Sequence, residues 1–187
     1  MTSEHVVGFD GMWAKPDEDP RMDESPVGEL ATIRGYLTNY RITLGMKCEG
    51  LSPGQLATRS VPPSTMSLLG LIRHMARVEQ NWFQRSLQDR REQPRLYWSA
   101  EDNDLDFNGA TGDQAVVDDA FATWKAQIAL ADEWLDGPID LGAMVRTPRG
   151  DDEASVRDIL IHMVEEYARH CGHADLLREC VDGRTGQ

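Results

Sequence analysis

SVRDILIHMVEEYARHCGHADLLRE, from Ser155 to Glu179, has the pattern of an amphipathic helix whose apolar side carries polar groups. His162, Glu166, His170 and His173 follow one another at steps of four, four and three residues, which places them on one helical face. An unpaired buried carboxylate is costly, so Glu166 should meet a positive or proton-donating group. A divalent metal would meet this need, because Glu and His four residues apart on a helix can reach one ion. The apolar residues along or beside this stripe are Ile159, Met163, Tyr167, Ala174 and Leu177.

Both ends of this helix are marked in the sequence. Ser155 is a good N-cap, and Asp158 three residues later can act as the acid of a capping box. The acidic run Asp151, Asp152 and Glu153 puts negative charge at the positive end of the helix dipole. Gly183 is a plausible stop, so we expect the helix to end there.

Composition sets broad limits on the protein. A chain of 187 residues suits one domain with a full core. The net charge of -13 argues against a nucleic acid or an anionic membrane surface as partner. No apolar run has the length of a membrane span, and the N-terminus lacks the pattern of a signal peptide, so we expect a cytoplasmic protein. The three cysteines, Cys48, Cys171 and Cys180, form no CxxC pair and are expected to be buried and reduced.

Apolar residues recur at helical spacing in three further segments. The predicted helices span about 27–48, 67–87 and 113–135, and a short helix follows Ser52-Pro53. Together with the last helix they predict an all-α four-helix bundle with long crossover connections, one of them at 90–112. No strand alternation is apparent. We divide the chain into an acidic, Pro- and Gly-rich arm at 1–25, held in part by Trp13, and a bundle domain at 26–187.

His74 is the polar residue on the second helix that bears on the site. It lies three residues after Leu71 and four before Val78, so it points toward the edge of the core. From the residues alone, His74 is either a hydrogen-bonded core-edge histidine or a metal ligand. Glu166 by itself is equally compatible with a solvated acid that pairs with Arg169.

Three stretches also resemble a known group of proteins. LLGLIRHMARVEQNWF carries a lone His in mid-helix, and EYARHCGHADLLRE carries an acid, three residues and a His on the last helix. Together with PPSTMSLLGLIRHMARVE and YWSAEDND, they resemble the DinB-like superfamily and, within it, an actinobacterial branch related to mycothiol-dependent maleylpyruvate isomerases and thiol S-transferases. The resemblance covers roughly residues 25–180.

The resemblance implies a fold, a site and a chemistry. Members of the superfamily are four-helix bundles that bind a divalent metal, often zinc or nickel, through three side chains. The matching positions here are His74, Glu166 and His170, and the mycothiol-dependent isomerases also have Glu at the middle position. Several members are transferases or isomerases that use mycothiol, bacillithiol or glutathione. His173 often corresponds to Gln in relatives, and we expect it to orient a ligand or to move a proton.

The remaining candidates have less specific roles. His162 is expected to be an ordinary core residue, and Cys171 points away from the His170 face. The aromatic residues Trp82, Trp98 and Trp124 either line a pocket or pack in the bundle, and the loop with Tyr97 and Trp98 is the candidate cover for a second substrate.

Three functional classes stay open at this point. The first is a metal-dependent thiol transferase or isomerase acting on a small electrophile, in which the thiol binds at the metal as thiolate. The second is a metal-dependent hydrolase with water in that position, and the third is a non-catalytic bundle that binds a metal or ligand. In each class the expected partner is a small molecule, and pairing into a homodimer is expected.

Overall fold

The computed structural model describes residues 6–7, 9–21, 25–148, 150 and 152–186. Four long helices dominate this part of the chain, which confirms the predicted all-α fold class. The elements in chain order are β1 Val6–Val7, α1 Glu29–Met46, α2 Pro53–Leu56, α3 Leu68–Glu79 with a π-helical continuation Gln80–Leu87, α4 Leu105–Asn108, α5 Gln114–Leu135, β2 Met144–Arg146, β3 Glu153–Ser155, α6 Val156–Asp182 and β4 Arg184–Thr185.

Local sequence signals set most helix ends. The hydroxyl of Ser155 accepts a hydrogen bond from the Asp158 backbone N at 3.1 Å, as expected for an N-cap. Ser52 and Gln55 form a complete capping box on α2. Gly183 ends α6 with φ of 78°, a left-handed conformation that favours glycine. Asp151 lies outside the described residues.

The helices run in two parallel pairs. The start of α1 meets the start of α6 through Glu29 and Arg157, whose Oε1 and Nε are 2.5 Å apart. The start of α1 also meets the end of α5, where Arg34 donates to the carbonyl of Leu135 at 2.9 Å. Therefore α1 and α6 run one way and α5 runs the other. The helix α3 runs with α5, because His74 lies beside His170 whereas Trp82, on the continuation of α3, lies beside the earlier residue His162 of α6. The connection between α3 and α5 must consequently return along the bundle, which explains its length.

The structure contains short strands that the sequence does not predict. β2 and β3 pair antiparallel just before α6, and β1 pairs in parallel with β4. These pairs are only two or three residues long, so no alternation of apolar and polar residues can develop along them. The lack of an apparent strand alternation in the sequence is consistent with such short pairs, and the fold class stays all-α.

The N-terminal segment is attached to the end of the bundle through Trp13. This indole is buried, and its ring centre lies 3.7 Å from the Arg184 guanidinium, 4.1 Å from Lys47 Nζ and 5.2 Å from the Arg178 guanidinium. These distances are typical of cation–π contacts, which join the segment to α1 and α6. The division of the chain at residues 25 and 26 stays a prediction.

Two further expectations concerned the burial of the cysteines and the lack of a membrane-spanning run. Cys48 and Cys171 are buried free thiols, as expected, but Cys180 is exposed, so the expectation of three buried thiols was wrong for that residue. Cys180 lies near the end of α6, on the side that faces away from the core. Among the described helices, none combines the length and apolar character that a membrane crossing requires.

Candidate metal centre

Three of the predicted residues lie together at the interface of α3 and α6. His74 projects from α3, and Glu166 and His170 project from successive turns of α6. One ligand atom from each of the three lies within 4.8 Å of the others. His170 Nε2 is 3.4 Å from Glu166 Oε2, and the rings of His74 and His170 have centres 4.8 Å apart. The geometry suits one shared ion, and metal binding itself stays a prediction.

Each of the two imidazoles is held at its Nδ1 atom by another side chain. His74 Nδ1 lies 2.8 Å from Asp106 Oδ2, so the ring donates its Nδ1–H to the carboxylate. His170 Nδ1 lies 3.3 Å from Nδ1 of His173, which requires a proton on one of the two nitrogens. Burial lowers the pKa of His173, and the neighbouring His170 and Arg169 lower it further, which favours a neutral acceptor. A neutral His74 that donates to Asp106 would leave its Nε2 for a metal. A neutral His170 that donates through Nδ1 to His173 would likewise leave its Nε2, and a metal would then replace the hydrogen bond from this Nε2 to Glu166.

Glu166 supplies the anionic group. The hydrogen bond from His170 lowers the pKa of this carboxyl, as do the nearby His162 and His74, whereas burial acts in the opposite direction. The carboxylate form is therefore favoured. Two imidazole nitrogens and one carboxylate oxygen form a donor set that zinc or nickel accepts, and such a set leaves coordination positions for other ligands.

Asp106 is a candidate site residue that the sequence does not reveal, and it contacts His74. Its carboxylate is buried and also accepts hydrogen bonds from Arg77 Nη1 at 3.2 Å and from the Phe107 backbone N at 3.1 Å. It lies on α4, inside the polar segment 90–112, where several acids look alike in the sequence. Arg73 fastens α4 to α3 by donating to the carbonyls of Leu105 and Asp106. Only this packing distinguishes Asp106 from its acidic neighbours.

A cavity of about 580 Å³ opens onto His74 and Glu166. Its volume is in the range of small-molecule sites in proteins. One wall comes from α3 and α6, a second from the segment around α4, and a third from the residues after β2. Besides the two donors, the lining residues are Arg77, Val78, Asn81, Trp82, Arg95, Asp104, Asp106, Phe107, Thr147, Pro148, Asp152 and His162.

The sequence model of a family described as Mycothiol-S-transferase matches residues 32–183 of the chain. The chain belongs to this family. The family is DinB-like, in agreement with the resemblance seen in the sequence. Among solved structures, a conserved protein from Enterococcus faecalis is similar to the chain with a TM-score of 0.53, 16% identity, and coverage of 82% of this chain and 95% of that one. At this identity the likeness shows the fold alone. A comparison with curated proteins gave no match.

The sequence suggested that His162 is an ordinary core residue, but in this member of the mycothiol S-transferase family it lies at the cavity. It is part of the cavity wall, and its ring packs against Trp82 with centres 4.8 Å apart. Its Nε2 is 3.2 Å from Glu166 Oε1, but His162 does not join the group of three donors. The expectation of an ordinary core residue was therefore wrong.

The aromatic residues separate into cavity and packing positions. Trp82 lines the cavity, whereas Trp124 is buried in the core of the bundle. Tyr97 donates through its hydroxyl to Asp119 on α5 at 2.8 Å, and Trp98 donates to Asn103 at 2.7 Å. These two aromatic residues are not part of the cavity lining, to which the same loop contributes Arg95, Asp104 and Phe107 instead.

The buried thiols of this family member are poor nucleophiles. Burial raises the pKa of Cys48 to about 12 and that of Cys171 to about 12. Thiols with such values are protonated at neutral pH, whereas the thiolate is the reactive form. Neither of these two residues lines the cavity, and neither does the exposed Cys180. A sulfur nucleophile at His74 and Glu166 would therefore have to come from another molecule.

Proposed function

We propose that this protein is a metal-dependent transferase that joins a mycothiol-type thiol to a small electrophile. The metal ligands in this proposal are His74, Glu166 and His170. The observation that carries it is the grouping of these three donors within 4.8 Å of one another, beside a cavity of about 580 Å³ that His74 and Glu166 line. Membership in the mycothiol S-transferase family supports a thiol as cosubstrate.

In this proposal, the charge of the donor set explains why a bound thiol would lose its proton. A divalent ion held by two neutral imidazoles and one carboxylate would keep about one positive charge, which would favour the thiolate form of a thiol bound there. Asp106 and His173 contribute by holding the Nδ1 atoms of the two histidines, which fixes the tautomer and the ring orientation. His173 acts in this proposal by orienting His170, one of the two roles that the sequence suggested.

In this proposal the cavity accommodates both the thiol and the electrophile. Trp82 and Phe107 supply apolar surface that excludes water and strengthens electrostatic interactions near the donors. Arg77 on α3 and Arg95 on the loop before α4 supply positive charge to the cavity. Because the two buried thiols are protonated and none of the three cysteines lines the cavity, the nucleophile in this proposal is the thiol cosubstrate.

Calorimetry on metal-loaded protein tests the proposal. Mycothiol, glutathione and bacillithiol are each titrated into the zinc-loaded and the nickel-loaded protein, in two buffers of different ionisation enthalpy. We expect one thiol to bind and to release a proton, which appears as a buffer-dependent heat. Absence of binding by all three thiols, with protein shown to carry its metal, would contradict the transferase function and favour the hydrolase or the non-catalytic bundle.

Metal content in two variants tests the assignment of the proposed ligands. His74→Ala should abolish stoichiometric retention of metal, because it removes the only ligand that α3 contributes to the group of three. Asn81→Ala is the matched control, since Asn81 lies on the π-helical continuation of α3 and lines the same cavity but does not belong to that group. Equal metal content in His74→Ala and in the parent protein would show that the ligand assignment is wrong.

A further inference from the structure

A buried polar network links all four long helices beside the three donors. Glu79 on α3 is its centre, because Oε1 accepts hydrogen bonds from Tyr167 Oη at 2.7 Å and from Arg41 Nε at 2.8 Å. Its Oε2 accepts from Arg41 Nη2 at 2.9 Å. Trp124 on α5 donates its indole N–H to Tyr167 Oη at 2.9 Å. Arg41 also reaches Asp132 on α5 at 2.7 Å, so a single set of bonds joins α1, α3, α5 and α6.

The network is removed from solvent. The side chain of Glu79 is 0% exposed and that of Arg41 is 6% exposed. Burial raises the pKa of Tyr167, and the neighbouring Glu79 raises it further, so the hydroxyl keeps its proton and donates to Glu79. Buried ion pairs often add little stability compared with well-packed apolar residues of the same size. Their hydrogen bonds, however, restrict how the helices can slide past one another, and this suggests a role in geometry.

The network lies close to the three donors along α3 and α6. Tyr167 directly follows Glu166 and precedes His170 by three residues, while Glu79 follows His74 by five. With about 1.5 Å of rise per residue, the bond between Glu79 and Tyr167 lies within about 8 Å along the helix axis from each donor. His74 comes from α3 and the other two donors from α6, so their separation depends on how these two helices are aligned. The bond between Glu79 and Tyr167 joins the same two helices.

We propose that Glu79 and Tyr167 are positioning residues that fix the alignment of α3 against α6 and thereby the distance from His74 to Glu166 and His170. The inference rests on the proposed metal site. Metal–ligand distances vary by only about 0.2 Å, whereas packed helices can shift by about 1–2 Å relative to one another. A constraint on sliding is therefore required where the ligands of one ion come from two helices.

Tyr167→Phe tests the inference because it removes one oxygen atom and leaves both bonds between Arg41 and Glu79 in place. We expect the zinc dissociation constant to rise about ten-fold, the lower limit of the losses seen when groups behind metal ligands are removed. The measurement is competition with a chromophoric chelator at a temperature where the variant is fully folded by circular dichroism.

Leu135→Ala separates positioning from general stability. Leu135 is buried in the core near the end of α5 and its side chain is not part of the network, so this variant should lower the melting temperature without changing zinc affinity. If Tyr167→Phe does not fold, Trp124→Phe is measured in the same way, because it removes the N–H that holds Tyr167 Oη. Here too we expect the zinc dissociation constant to rise.

Three outcomes would overturn the inference. The first is an unchanged zinc affinity in the network variant that is measured. The second is an equal loss of affinity in that variant and in Leu135→Ala, which would show that any destabilisation of the bundle has the same effect. The third is failure of the parent protein to bind zinc or nickel, which would remove the proposed metal site as well. In the first two cases the parent protein binds metal, so the proposed function would survive.

Discussion

Replacing Asp106 by asparagine should weaken metal binding while leaving the bundle folded. The substitution keeps the size of the side chain and changes one acceptor oxygen into a donor NH₂ group. In the native protein, Asp106 Oδ2 accepts from His74 Nδ1 at 2.8 Å and from Arg77 Nη1 at 3.2 Å, while Oδ1 accepts from the Phe107 backbone N at 3.1 Å. An asparagine cannot accept on both sides.

Either orientation of the asparagine loses a hydrogen bond. If its oxygen stays with the Phe107 backbone, the NH₂ group faces His74 Nδ1 and favours the tautomer with the proton on Nε2, where the metal should bind. If its oxygen faces His74, the NH₂ group opposes the Phe107 N–H. An unsatisfied buried group costs about 1–3 kcal/mol, and about 1.4 kcal/mol corresponds to a factor of ten in affinity. We therefore expect the zinc dissociation constant to rise about 10- to 100-fold, which agrees with the general effect of such partners.

Zinc competition with a chromophoric chelator measures the effect, and Asp104→Asn is the matched control. Asp104 lines the same cavity and lies two residues away, but its exposed side chain makes no hydrogen bond to His74. Both variants remove one negative charge from the cavity wall, so a purely electrostatic effect would appear in both. Zinc binding by Asp106→Asn with the affinity of the parent protein would refute the role assigned to Asp106.

Trp13→Ala should lower the free energy of unfolding by about 3–5 kcal/mol in urea denaturation, because the buried ring contacts three cationic side chains. A loss below about 1 kcal/mol would show that the segment around Trp13 is not integral to the fold. Burial raises the pKa of Cys48 to about 12 in the folded protein, whereas an exposed cysteine has a pKa of about 8.5. The unfolded chain therefore loses this proton at lower pH than the folded protein, and stability should fall as pH rises from about 8.5 towards 12. Cys48→Ala should reduce this fall in denaturation experiments at pH 8 and 10, and an identical pH dependence would contradict the assignment. The homodimer stays a prediction, and sedimentation showing only a 21.0 kDa species at high concentration would exclude it.

The sequence by itself was sufficient for the four long helices and for placing two of the three candidate donors on one face of α6. Glu166 and His170 are four residues apart, and the period of the α-helix places such residues on one face whatever the helix packs against. The same reasoning predicted the buried residues Ile159, Met163 and Tyr167, and Ser155 predicted where α6 begins. These features depend on neighbours within one or two turns, so the order of residues determines them.

The tertiary structure decided which helices face one another and which loop residue stands behind a ligand. An apolar stripe shows that one side of a helix is buried, but it does not name the partner helix. The hydrogen bonds from His74 to Asp106 and from Tyr167 to Glu79 join residues 32 and 88 positions apart, respectively. Contacts over such separations form only when the whole bundle packs, because many alternative pairings satisfy the same pattern of apolar and polar residues. For that reason Asp106, the network around Glu79 and the short strands could not be inferred from local sequence, whereas the stripe on α6 could.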